Sequence, residues 1–201
     1  MSDTIFETIK ERTGGESKSP SWYRRELRNV AASYKKNKRK LRMDEREDSF
    51  SDVKDSNELR RNVRKGHLYL FEYKAAKQGL KYFDRFPLVY VIGWEADSFI
   101  GANLHYINPK FRAKTISDLL QRQVLVAPKK TFHRYLFSNV NGRFLDLGEE
   151  EWKTSIYLPV DDFVTRHRSG KIVPYKKTEV WKETEKSQRD KFKVPRIIED
   201  Y

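Results

Sequence analysis

The chain contains no cysteine, and this absence removes several kinds of chemistry at once. Disulfide bonds, thiolate catalysis and cysteine-based zinc sites are excluded. No run of about 18 apolar residues occurs, so the sequence predicts no membrane-spanning helix. The N-terminus also lacks the apolar segment of a signal peptide. We therefore expect a protein of a reducing cytoplasm, or of a particle assembled there, with no membrane partner.

The signatures of common enzymes are also missing. The sequence has no Gly-rich phosphate loop and no GxSxG motif, and its four histidines show no metal-ligand spacing. Asp84, Asn103 and His105 could be combined into an acid–base site, but such chemistry needs more convergent groups. A hydrogen-bonded His105 in the core, and an Asp84–Arg85 ion pair that fixes a loop, are the simpler interpretations. We predict no catalytic residue, no cofactor and no metal.

Positive charge is abundant: 42 Lys and Arg against 29 Asp and Glu give a net charge of +13. Between Trp22 and Arg42, nine basic residues accompany one acid, Glu26. Phosphates attract such charge, and the aromatic pair that opens the segment can stack on bases, which favours a nucleic-acid partner. The residues predicted to bind DNA here are Trp22, Tyr23, Arg24, Arg25, Arg28, Lys35, Lys36, Lys38, Arg39, Lys40 and Arg42.

The first part of this basic segment has the pattern of a helix. Ser19 and Pro20 suit an N-cap and a first helical position. Tyr23, Leu27 and Val30 then recur at helical spacing and form a narrow apolar stripe. A solvated helix held by this stripe is the alternative to a DNA-binding helix. The acidic linker at 44–58 could also fold back onto the charge.

A second basic group opens a helix that we predict at 109–126. Lys110, Arg112 and Lys114 lie in its first turns, where a helix N-terminus adds its own attraction for phosphate. We predict that these three residues also bind DNA. An ordinary exposed helix face is the alternative.

Residues 66–107 have the pattern of β-strands. Side chains alternate at 67–73, a buried strand is indicated at 86–94, and a third strand at 99–107. The short connections predict an α+β protein with a small antiparallel SH3-like barrel or meander, flanking helices and the basic N-terminal helix. Residues 131–147 fit either helix or strand. The predicted divisions are an N-terminal extension (1–65), a core domain (66–175) and a charged C-terminal tail (176–201).

The two ends of the chain carry weaker patterns. Residues 3–12 form an amphipathic segment with too few apolar side chains to be ordered alone, so it is either frayed or docked onto another surface. The tail from Lys176 is charged, and we expect it to be mostly exposed with Trp181 as its lone anchor.

Three segments together resemble a known family. They are GHLYLFEY (66–73), KYFDRFPLVYVI (81–92) and FIGANLHYINPKFRAKTISDLL (99–120). This sequence resembles the DNA end protector, or head-completion, proteins of T4-like tailed phages. WKTSIYLPVDDF (152–163) and EVWKE (179–183) fit the C-terminal part of that family. The GxNxHY segment is the most distinctive feature, and the resemblance supplies no individual residue roles.

The resemblance implies a non-enzymatic virion protein that binds the ends of packaged linear double-stranded DNA, helps to complete the head and shields the ends from exonuclease. It would meet head, portal and neck proteins in the virion, and the host cytoplasm during assembly and after injection. Three alternatives remain open: a structural head or neck protein that docks on an acidic portal or capsid partner, a small-barrel nuclease that uses Asp84, Arg85 and His105, and an RNA-binding chaperone.

Overall fold

The structure is a computed structural model that describes residues 5–30, 63–75, 80–167, 169–187 and 190–196. Within these ranges the chain is α+β, with five helices and antiparallel sheets. The helices are α1 (Ile5–Thr13), α2 (20–30), α3 (Pro109–Arg122), α4 (Glu149–Ser155) and α5 (Lys177–Lys186). No helix in the described ranges combines the length and apolarity needed to cross a bilayer.

Ten strands form three sheets among the described residues. The strands are β1 (Leu68–Tyr73), β2 (Phe83–Asp84), β3 (Leu88–Trp94), β4 (Ser98–Asn103), β5 (Val124–Pro128), β6 (Phe132–Leu136), β7 (Val140–Leu147), β8 (Phe163–Arg166), β9 (Ile172–Pro174) and β10 (Lys191–Pro195). The largest sheet has the order β6-β4-β3-β1-β7, and the smaller sheets are β10-β5 and β2-β8-β9. Ambiguous residues 131–147 thus form two strands separated by a 3-10 turn.

The largest sheet is an antiparallel meander with β7 added beside β1. Its two edge strands, β6 and β7, do not pair with each other in the described part of the chain. The predicted α+β class and meander are confirmed. The sheet stays open, so the described strands do not form the predicted barrel, and the SH3-like arrangement is not supported.

Alternation along β1 divides the core between the two faces of this sheet. Leu68 and Leu70 point into one hydrophobic cluster with the helices, whereas Tyr69, Phe71 and Tyr73 point into an aromatic cluster on the other face. This follows from the two-residue period of a strand. Burial of each such side chain contributes about 1.5–3 kcal/mol to folding, so both faces stabilise the sheet.

Gly101 in β4 must be a glycine because it lies close to the paired strand β3. A Cβ on Gly101 would lie 2.8 Å from the backbone oxygen of Tyr90 and would also collide with the side chain of Val89. The absence of a side chain at Gly101 therefore allows β4 to lie against this part of β3.

The described part of the N-terminal extension packs against the core. Phe6 and Ile9 of α1 are 8% and 2% exposed and join the helix-side cluster. Leu27 of α2 is in the same cluster. Arg12 Nη1 lies 2.9 Å from Glu26 Oε2 and ties α1 to α2. Of the two expectations for residues 3–12, docking rather than fraying is what the structure shows for α1.

Two predicted element ends are wrong. The third strand ends at Asn103, because the Asn103 side chain accepts a hydrogen bond from the His105 backbone (3.0 Å) and caps the 3-10 turn Leu104–Tyr106. Helix α3 ends at Arg122 instead of 126, because Gln123 adopts a left-handed φ of 56°. The residues that follow become β5.

The described part of the tail is also structured. Helix α5 buries Val180 against Tyr106 and Phe163. Trp181 Nε1 donates to the carbonyl of His105 at 3.0 Å, and β10 pairs with β5 along its full length. Trp181 is thus an anchor as predicted, but it is one of several, and the described tail is mostly exposed as expected.

Candidate nucleic-acid interface

The aromatic pair at the start of α2 is used for packing. Ser19 Oγ accepts from the Trp22 backbone at 3.2 Å, so α2 begins as predicted. Trp22 and Tyr23 are partly buried against the helix-side cluster, and their rings meet edge-on with centroids 5.2 Å apart. Both rings therefore pack partly against the protein, and their predicted contact with DNA stays a prediction.

Each described arginine of α2 lies near a carboxylate. Arg24 Nη2 lies 3.9 Å from Asp162 Oδ1, and its Nη1 is 3.4 Å from the carbonyl oxygens of Val160 and Asp161. With 15% of its side chain exposed, Arg24 holds α2 onto the loop before β8. We therefore assign Arg24 a structural role.

Arg25 and Arg28 are more accessible. Arg25 Nε lies 3.6 Å from Glu26 Oε1 with 65% of its side chain exposed, and Arg28 Nη2 lies 3.3 Å from Glu72 Oε1 with 46% exposed. Exposed ion pairs of this kind contribute about 0–1 kcal/mol. A phosphate can therefore compete with either carboxylate for its arginine.

The most concentrated positive charge of the sequence lies outside the described residues. These predicted DNA contacts remain predictions: Lys35, Lys36, Lys38, Arg39, Lys40 and Arg42.

The second basic group separates into two surface lysines and one buried arginine. Lys110 is exposed on the first turn of α3, where its backbone N–H is capped by Asn108 Oδ1 at 3.2 Å. Lys114 has 70% of its side chain exposed and lies 2.9 Å from Asp118. Both lysines can reach a phosphate. Phe111, between them, is also 45% exposed.

Arg112 is only 2% exposed. Its Nε donates to the carbonyl of Ile107 at 2.8 Å, Nη2 to that of His105 at 3.0 Å, and Nη1 approaches that of Ile156 at 3.4 Å. Burial lowers the pKa of Arg112, and attraction from Asp161 and Asp84 opposes this shift. The guanidinium joins α3 to the segment after α4, so we remove Arg112 from the predicted DNA contacts.

Asp84, Asn103 and His105 form a buried polar cluster. His105 Nδ1 lies 2.7 Å from Asp84 Oδ2, Asn103 Nδ2 donates to the same oxygen at 3.2 Å, and the Phe86 backbone donates to Oδ1 at 3.0 Å. Burial alone would raise the pKa of Asp84, but the attraction of His105 and these hydrogen bonds hold it below its ordinary value. The expected core role of His105 is confirmed. Asn103 fixes the turn beside it.

The predicted ion pair between Asp84 and Arg85 is wrong, because each residue pairs with a different partner. Arg85 Nη2 pairs with Asp162 Oδ2 at 2.7 Å, while Asp84 pairs with His105. The side chains of Asp84 and His105 are 1% and 0% exposed, so this group offers no accessible acid–base site. Within the described ranges, no group of three or more His, Asp or Glu is placed to hold a metal.

His133 lies beside this cluster. Its ring stacks at an angle on Tyr106 with centroids 4.4 Å apart, and its Nε2 is buried without a hydrogen-bond partner in the described residues. Burial lowers the pKa of His133 to about 4, against smaller opposing effects of Asp84 and the Lys130 backbone. The buried residues Asp84, Asn103 and His105 thus have a structural role in the core, and any DNA contact must come from charged residues at the surface.

Sequence reasoning missed one basic element, strand β10. Lys191 and Lys193 are exposed on a strand within the segment that the sequence predicts to be a charged tail. The alternation of polar and apolar residues in KFKVP is typical of a strand with one solvent-exposed face and could have identified β10.

Comparison with known proteins identifies one match. The family model described as "Phage T4 terminal DNA protecting protein" matches residues 21–128, which is more than half of the 201 residues. The matched range includes α2, the buried Asp84 cluster and α3. Searches of curated proteins and of solved structures gave no match.

Proposed function

Because this chain belongs to the family of the phage T4 terminal DNA protecting protein, we propose that it binds the ends of linear double-stranded DNA and shields them from exonucleases. The family match over residues 21–128 is the observation that carries this proposal. The net charge of +13 supports it, because a polyanion is the natural partner of such a chain.

The contacts to DNA are made mainly to phosphates. Arg25 and Arg28 of α2, together with Lys110 and Lys114 of α3, supply accessible charge, and the basic residues of 35–42 supply the rest. Phosphate contacts carry no base information, so binding is independent of sequence. Trp22 and Tyr23 pack partly against the core and so hold α2 in place, and their exposed parts can also contact the DNA.

Salt dependence tests the binding step. If about six phosphates are neutralised, the logarithm of the binding constant falls with the logarithm of salt concentration with a slope of about −5. Fluorescence anisotropy with a short blunt duplex at several salt concentrations measures this slope. A slope near zero would contradict a phosphate-based interface.

Exonuclease digestion tests the end-protection step. The protein should slow digestion of a blunt linear duplex, and an equal mass of covalently closed circular DNA should compete poorly. Equal competition by the circle would show binding to internal duplex and would refute end recognition.

A charge-matched pair of variants locates the protecting surface. Replacement of Lys35, Lys36, Lys38, Arg39 and Lys40 by glutamine should abolish protection. The control replaces five exposed lysines outside the proposed interface, Lys10, Lys74, Lys153, Lys171 and Lys176, and should retain it. Equal loss in both variants would indicate a general effect of net charge.

A virion role follows as the second part of the proposal. We place the protein on packaged DNA in the phage head, where it contacts head, portal or neck proteins and helps to complete the particle. Competition between a short duplex and a purified neck or portal protein tests whether the two partners share one surface.

A further inference from the structure

The two-stranded sheet of β5 and β10 has one inner face and one outer face. Leu125 and Ala127 are fully buried, and Val194, which is opposite Leu125, packs against the helix-side cluster. Since side chains alternate along a strand, Lys191 and Lys193 belong to the opposite face. Both are exposed. The packing of the inner face therefore fixes these two lysines outward.

The lysines of this sheet carry uncompensated charge. Lys191 and Lys193 form no ion pair within the described residues, in contrast to Lys114 and Arg134, which are held by carboxylates.

The geometry suits a DNA backbone. Residues two apart on a strand are separated by about 6.6 Å, so Lys191 and Lys193 can reach neighbouring phosphates on one DNA strand. A two-stranded antiparallel ribbon also fits along the groove of duplex DNA. One face of this ribbon is packed inside the protein, which favours backbone contacts over reading of base edges.

We propose that the outer face of the β5–β10 ribbon, with Lys191 and Lys193, is a second contact to the phosphate backbone of duplex DNA. This inference rests on the proposed DNA binding and adds to it, because β10 lies beyond the family match at 21–128. The ribbon adds two cations to the phosphate contacts proposed for α2 and α3.

The test compares two variants of the full chain. The ribbon variant is Lys191→Gln with Lys193→Gln, and the control is Lys74→Gln with Lys171→Gln, two exposed lysines that also have no ion pair in the described residues. Anisotropy with a blunt duplex over a range of salt gives the slope for each. Removal of two phosphate contacts should reduce the steepness of the slope by about 1.8, since each contact contributes about 0.9. The control should match the wild type.

The outcomes separate this inference from the proposed function. If the wild type binds and protects ends but the ribbon and control variants give the same slope, the ribbon contact is wrong and end binding stands. If the wild type shows no salt-dependent duplex binding, both are wrong. A Lys191→Arg, Lys193→Arg variant should restore the wild-type slope, and thermal unfolding should show the same melting temperature for all variants.

Discussion

Replacement of Arg112 by lysine distinguishes a buried clamp from a surface DNA contact. Lysine keeps the positive charge but has a single nitrogen where arginine has a planar fork of donors. In the structure the three guanidinium nitrogens of Arg112 donate to the backbone carbonyl oxygens of residues 105, 107 and 156 at the same time. A lysine ammonium at this depth can satisfy one of them, so the others lose their donor.

The cost can be worked from these contacts. The two short bonds, 2.8 Å to Ile107 and 3.0 Å to His105, are the strong ones. A hydrogen bond to a charged donor contributes about 1.5–3 kcal/mol, and a buried carbonyl left without a donor costs about 1–3 kcal/mol. We expect Arg112→Lys to lower the free energy of unfolding by about 3 kcal/mol. For a chain of this size, that corresponds to a fall in melting temperature of roughly 6–12 °C.

Thermal and urea unfolding measure the effect, with Arg122→Lys as the matched control. Arg122 is on the same helix, but 73% of its side chain is exposed beside Asp118, so its replacement should change stability by less than about 0.5 kcal/mol. Below its melting temperature, the Arg112→Lys protein should bind duplex DNA with the wild-type salt slope. Wild-type stability of Arg112→Lys would refute the clamp. An Arg112→Gln variant that is as stable as wild type and shows a slope reduced by about 0.9 would restore Arg112 as a phosphate ligand.

Three further predictions concern the core. Burial lowers the pKa of His133 from 6.5 to about 4, so as the pH falls the unfolded chain binds the proton before the folded chain does. The free energy of unfolding should therefore fall by about 3 kcal/mol between pH 6.5 and pH 4. His133→Phe should flatten this part of the stability–pH curve, and an unchanged curve would contradict the assignment. Asp84→Asn removes the charge that faces His105 and should cost about 3–5 kcal/mol in urea unfolding, whereas a near-neutral effect would mean that the pair is not required. Gly101→Ala forces β4 away from β3 and should cost about 1–3 kcal/mol by the same assay, and a variant as stable as wild type would show that the strands can separate freely.

The elements predicted well are those whose signal is local. Alternation at Leu68–Tyr73 and the apolar run before Trp94 identify β1 and β3, because the pattern follows from which face is buried. The start of α3 was readable from Asn108 and Pro109, which cap and open it. These features depend on neighbours in sequence and required no knowledge of the fold.

The errors arise from partners distant in sequence. The sequence predicts Arg112 as a surface cation, because the carbonyls of residues 105, 107 and 156 surround it only in the folded chain. The partial packing of Trp22 against the helix-side cluster was likewise absent from the local pattern. The end of α3 depends on Gln123, a residue type with no strong preference for a left-handed conformation, and on β10, which pairs with β5 from some 65 residues away. No local pattern contains this information.

The pairing of β10 with β5 has a further consequence for the handling of the protein. β5 reads VLVAP, and β10 satisfies the backbone groups along one of its edges. A protease cut or a stop codon before 190 would leave an apolar strand with an open edge, which is a template for pairing with another molecule. Such a shortened product should self-associate, so turbidity in a truncated preparation would report the lost strand.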